Sequence, residues 1–185
     1  MSLTISDILV LLRYIINDIA QTGSDMFEYT TSSVFTLTES NVLTVTDVAI
    51  NDVTSAVSYS YNSTLNKVTI TTSLITGDNI EINYTYYNNY SDTELTSYIY
   101  NALVHLSINK YYDFQILNDT IYPDTTESEK NLIAIIASVL INPGNKSYRT
   151  PDLTVTVADK IPTFDRIKRI IAAYKKSPMG LMTIL

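Results

Sequence analysis

The stretch DNIEINYTYYNNYSDTELTSYIYNALVHL, residues 78–106, changes period halfway. Ile80, Ile82, Tyr84 and Tyr86 alternate with Glu81, Asn83 and Thr85, the pattern of a half-buried strand. From Leu95 the apolar positions become Tyr98, Ile99, Ala102, Leu103 and Leu106, one face of a helix. Ser91 and Glu94 have the spacing of a capping box, in which each side chain satisfies the other residue's amide, and Asp92 adds favourable charge to the first turn. The switch from strand to helix is therefore written into local chemistry.

Upstream, residues 25–88 are rich in Thr, Val, Ile and Tyr and carry turn signals. Tyr59 and Tyr61 alternate into a loop at 62–66, and Val68 and Ile70 alternate out of it; Asn66 suits a left-handed turn position, and Gly77-Asp78 marks a second corner. Before this module, Ile8, Leu11, Leu12, Ile15, Ile16 and Ile19 predict a helix over about 6–21, capped by Ser6 and stopped by Gly23. Asp7, Arg13, Asn17 and Asp18 interrupt its apolar run, so neither a secretory signal nor a membrane span is expected.

Downstream, Thr126 and Glu129 form a second capping-box pattern. It opens a nearly all-apolar helix containing Leu132, Ile133, Ile135, Ile136, Val139 and Leu140, which must be buried. Pro151 and Pro162 bracket the extended DLTVTVAD. Thr163 then caps a last helix with Phe164, Ile167, Ile170, Ile171 and Tyr174 on one face, followed by the apolar tail PMGLMTIL. The expected class is α+β: a small helical bundle body (1–24 and 89–145), an inserted antiparallel β-module (25–88), and an extended C-terminal arm, basic helix and apolar tail (146–185).

Composition narrows the function classes. The 185 residues are 45% hydrophobic and 17% charged, with 15 Tyr and no Trp, which suits crowded protein contacts and also sugar binding. The absence of cysteine excludes disulfides and thiolate metal sites, and the single histidine excludes imidazole clusters. The four glycines form no phosphate-binding loop. His105 lies mid-helix with no nucleophile elbow in the chain, which reads as a packed helix residue. The pairs Glu127/Glu129 and Asp113/Asp119 could serve a glycosidase only if they converged, and helix-start charge already accounts for the first. No cofactor and no enzymatic activity are expected. The net charge of −7 is uneven, with eight Lys/Arg against three Asp/Glu in 146–176. A basic segment on an acidic chain suits head-to-tail contact between copies or a nucleic-acid contact.

The segment YSDTELTSYIYNALVHLSINKYYDF (90–114), with the apolar and basic helices that follow, resembles the core of head-to-tail adaptor (connector) proteins of tailed bacteriophages. The resemblance covers about residues 1–23 and 91–176. YNSTLNKVTI and GDNIEINYTYY are similar to β-hairpin decorations of virion proteins. The resemblance implies a structural virion protein at the neck: a homo-oligomeric ring, commonly dodecameric, between portal protein and tail or stopper protein. Genome double-stranded DNA would pass through its lumen without specific binding. Interface candidates are Arg166, Lys168, Arg169, Tyr174, Lys175, Lys176, Leu181, Met182, Ile184 and Leu185, with residues 146–185 expected to pack mainly on other chains. The alternatives are a tyrosine-rich β-module that binds carbohydrate or a host surface through Tyr84, Tyr86 or Tyr87, and another neck, tail-completion or capsid decoration protein.

Overall fold

The apolar run that opens the chain does not stay helical to its end. A computed structural model describes residues 3–54, 57–109, 111–144, 147–150, 153–157, 161–176 and 180–184. In it a short strand, β1 (Leu3–Thr4), leads into α1 (Ile5–Ile16). Thr4, not Ser6, is the cap: its amide donates to Asp7 Oδ2 at 2.9 Å and Asp7 N donates to Thr4 Oγ1 at 3.2 Å. The Thr4 hydroxyl, which donates to Asp7 Oδ2 at 2.6 Å, and then the Thr4 amide hold the Asp7 carboxyl below the usual carboxylate range. Asn17 ends the helix in the left-handed conformation, φ 57°, which asparagine tolerates better than most residues.

Asp18–Ser91 forms one compact unit, and Met1–Asn17 with Asp92–Leu185 forms another. The insertion is wider than 25–88 because β2 (Gln21–Glu28) is a strand. β3 (Val34–Thr36), β4 (Val42–Ile50), β5 (Tyr59–Asn62), β6 (Lys67–Ile70) and β7 (Asn79–Tyr86) follow. They make two antiparallel sheets, ordered β2-β7-β4 and β3-β6-β5. Phe35, Val68 and Ile70 from one sheet and Val45, Val48, Ile80, Ile82 and Tyr84 from the other share one buried core, so the unit is a small sandwich. The alternation along β7 holds: Ile80, Ile82 and Tyr84 are buried while Glu81, Asn83 and Thr85 are not.

Turn chemistry pins the strands. Asn66 is left-handed at φ 53°, and its amide group donates to Leu37 O and Glu39 O at 3.1 and 2.7 Å. Gly77, at φ 96°, turns the chain into β7. Gly23 is not a helix stop. It sits in β2 directly across from Tyr84, and a Cβ there would lie 2.8 Å from Tyr84 Cε2. The missing side chain is the space the ring occupies.

The remaining unit is built on α2 (Asp92–Ile108), β8 (Gln115–Leu117), β9 (Thr120–Tyr122), α3 (Glu127–Ile141), β10 (Ser147–Arg149), β11 (Leu153–Val157), α4 (Thr163–Lys176) and β12 (Gly180–Ile184). α3 packs against α1, α2 and α4 and is buried from Asn131 to Val139. The Thr126–Glu129 capping box is present, with Thr126 N donating to Glu129 Oε2 at 2.7 Å and Glu129 N to Thr126 Oγ1 at 3.2 Å. The buried Arg13 of α1 pairs with Asp92 Oδ1 at 2.6 Å, tying α1 to the first turn of α2.

The described parts of the C-terminal segment pair with one another. β10 pairs antiparallel with β11, and β11 pairs in parallel with β12 across α4, a β-α-β crossover within the chain. The apolar face of α4 (Ile167, Ile170, Ile171 and Tyr174) is buried, and the helix packs on α3. This segment belongs to the helical unit. The protein is α+β, and among the described residues no helix is long and apolar enough to cross a membrane.

Candidate interaction surfaces

α4 divides the basic candidates into two groups. Arg166 is 4% exposed. Its guanidinium donates to the Pro143 carbonyl and lies 3.4 Å from the Tyr148 hydroxyl, while Tyr148 donates to Asn142 O at 2.9 Å. Burial raises the Tyr148 pKa, and the nearby Arg166 offsets part of that rise. Arg166 thus holds the end of α3, β10 and α4 together and is buried within the chain. Tyr174, 2% exposed, packs edge-on to Tyr111 with ring centroids 5.8 Å apart. Tyr111 donates to Glu129 Oε1 at 3.0 Å; burial first, then that carboxylate, raises its pKa. Lys168, Arg169, Lys175 and Lys176 are exposed, with Lys175 donating to Asn109 O at 3.1 Å and standing 5.9 Å from the Tyr111 ring centroid. Leu181, Met182 and Ile184 belong to β12, and Leu185 lies outside the described residues.

The helical unit also exposes apolar side chains in register. On α1, Val10 (72% exposed) and Tyr14 stand one turn apart. On α2, Tyr100, Val104 (54% exposed) and Ile108 succeed one another at four-residue steps. Leu95, Ile99, Ala102, Leu103 and Leu106 bury the other side of the same helix. The α2 stripe lines a groove of about 380 Å³ with Phe114 and Ile116 from the segment that follows, and Asp113 is its acid. The α2 stripe was not singled out from the sequence, because α2 is apolar on two sides and period alone shows only that a helix is amphipathic. The β8–β9 hairpin beside this groove was also missed; its signal was Asn118-Asp119, both left-handed, between two short apolar runs.

On the β unit, a second cleft of about 430 Å³ lies along β2 and β7, lined by Met26, Phe27, Glu28, Asp52, Asn79, Ile80 and Glu81. The unit as a whole, residues 18–91, carries one Lys/Arg against eight Asp/Glu, a formal −7, so the helical unit is formally neutral. Tyr84 is buried, and desolvation pushes its hydroxyl up to about 12; its ring is core and not a platform for a sugar. His105 packs on Phe164, ring centroids 5.8 Å apart, and burial lowers its pKa. Among the carboxylates weighed as a pair, Glu129 is taken up by the cap and Tyr111, and Glu127 faces Lys130 at 3.6 Å. No group of three or more His, Asp or Glu among the described residues could hold a metal ion. In comparisons with known proteins, no family model matches the chain and no curated protein matches it.

Proposed function

We propose that the chain is a structural virion subunit, a head-to-tail adaptor of a tailed bacteriophage that closes into a ring between portal protein and tail or stopper protein. Double-stranded genome DNA passes through the lumen. One observation carries the reading: a helical unit whose central helix is buried from Asn131 to Val139 displays two separate apolar stripes, Val10/Tyr14 on α1 and Tyr100/Val104/Ile108 on α2. Exposed apolar side chains aligned on helix faces mark contact surfaces. Two unlike patches on one subunit suit a heterologous, head-to-tail contact, which closes into a ring when the rotation between copies is right. The acidic β unit favours passage of DNA without adhesion, since phosphate binding depends on cationic contacts. Electron microscopy of the purified chain, alone and mixed with a portal protein, tests this. Rings, or a collar added to the portal, are the expected images; isolated single copies in both samples contradict the reading.

A further inference from the structure

The cleft on the β unit has a chemistry that points to its occupant. Its exposed apolar group is Met26, with the partly buried Phe27 beside it and the core residue Ile80 closing its floor, and its acids are Glu28, Asp52 and Glu81. Met26 is 81% exposed. The site is held by backbone: Met26 pairs across from Glu81 and Phe27 from Ile80, and Asp52 sits in a left-handed turn at φ 65°. Asn51 braces that turn, accepting from Asn79 N at 2.9 Å and donating to Asp78 Oδ1 at 2.8 Å. Such a cleft takes an apolar knob with a cation beside it. The chain carries that pair on α4, where Phe164 is 48% exposed and Lys168, one turn on, is exposed; residues four apart on a helix share a face.

We infer that, within the ring just proposed, the β-unit cleft of one copy receives the Phe164–Lys168 turn of the next copy's α4. A formal −7 unit set against a basic helix gives the charge complementarity that selects and orients a partner. A nucleic-acid backbone would engage Lys168, yet it leaves Phe164 in water and is repelled by the cleft. Cleft and knob are different surfaces, so the contact is head-to-tail.

The chain has no cysteine, so introduced thiols report without background. A Met26→Cys chain mixed with a Phe164→Cys chain is expected to give a disulfide-linked heterodimer on mild oxidation. In sedimentation velocity, Lys168→Glu and Glu28→Lys alone each raise the concentration needed for assembly by about tenfold or more, because like charges then face each other. Their equimolar mixture recovers assembly, since native and reversed contacts alternate around the ring. A wild-type ring with no cross-link and no response to Lys168→Glu overturns this inference and leaves the adaptor reading standing. A wild-type chain that stays monomeric overturns both. Loss of nucleic-acid binding in Lys168→Glu with assembly intact assigns the basic face to nucleic acid and overturns the inference.

Discussion

Replacing Arg166 by alanine separates two views of the C-terminal segment. If the segment were a docking arm, the change would leave an isolated chain as stable as before and harm only assembly. The structure places the guanidinium at 4% exposure, donating to the Pro143 carbonyl beside the Tyr148 hydroxyl. Removing it deprives a carbonyl of a charged donor, and hydrogen bonds to charged groups contribute about 1.5–3 kcal/mol. Loss of the packed aliphatic stem adds to that, while Tyr148 keeps its bond to Asn142 O. The sum is about 3 kcal/mol, a large part of the roughly 5–15 kcal/mol that typically holds a folded chain together. For a chain of this size that lowers Tm by roughly 6–12 °C. Guanidinium unfolding followed by far-ultraviolet circular dichroism, repeated at several protein concentrations, separates this loss from any loss of association. Lys168→Ala on the exposed side of the same helix is the control, expected within about 0.5 kcal/mol of wild type. An Arg166→Ala chain with the wild-type unfolding midpoint would refute the reasoning.

Three further outcomes are expected. Gly23→Ala drives a methyl group to within 2.8 Å of Tyr84 and should destabilise the β unit by about 1–3 kcal/mol; an unchanged chemical-denaturation midpoint contradicts this. Thr126→Ala removes the cap of α3, with a loss of about 1 kcal/mol, measured the same way against wild type. The only imidazole, His105, should titrate below its ordinary value of 6.5, because burial disfavours its charged form. Its folded pKa is depressed, so the unfolded chain binds the proton first. Stability is then full above about pH 6.5 and falls as pH drops through the interval down to the folded pKa. A proton NMR titration of the ring that gives a midpoint at or above 6.5 contradicts this.

Where local chemistry determines structure, the residues alone were enough to read it. The strand-to-helix switch between Tyr86 and Asp92, the Thr126–Glu129 cap, the left-handed Asn66 and the Gly77 corner all rest on neighbours within a few positions. The buried α3 was legible because it is apolar on every side. What was not legible depends on distant partners. Gly23 looked like a helix stop, and its real constraint is Tyr84 on another strand. The parallel pairing of β11 with β12 joins segments separated by a whole helix, a contact no local period announces. Arg166 read as surface charge in a basic run, because the carbonyl it satisfies, Pro143, is an acceptor present in every residue and so invisible in sequence. Of the apolar positions on α4, Ile167, Ile170, Ile171 and Tyr174 are core while Phe164 stays half-exposed, and the exposed stripe on α2 was hidden among the apolar positions that bury that helix.

The most direct test of self-assembly through unlike faces is native mass spectrometry of the wild-type chain beside Val104→Glu, which places a charge in the middle of the α2 stripe. The expected spectra show one closed oligomer of fixed copy number for wild type and single chains for the variant, with both samples giving the same circular dichroism. A wild-type spectrum of single chains, or a variant that assembles as wild type does, contradicts the claim.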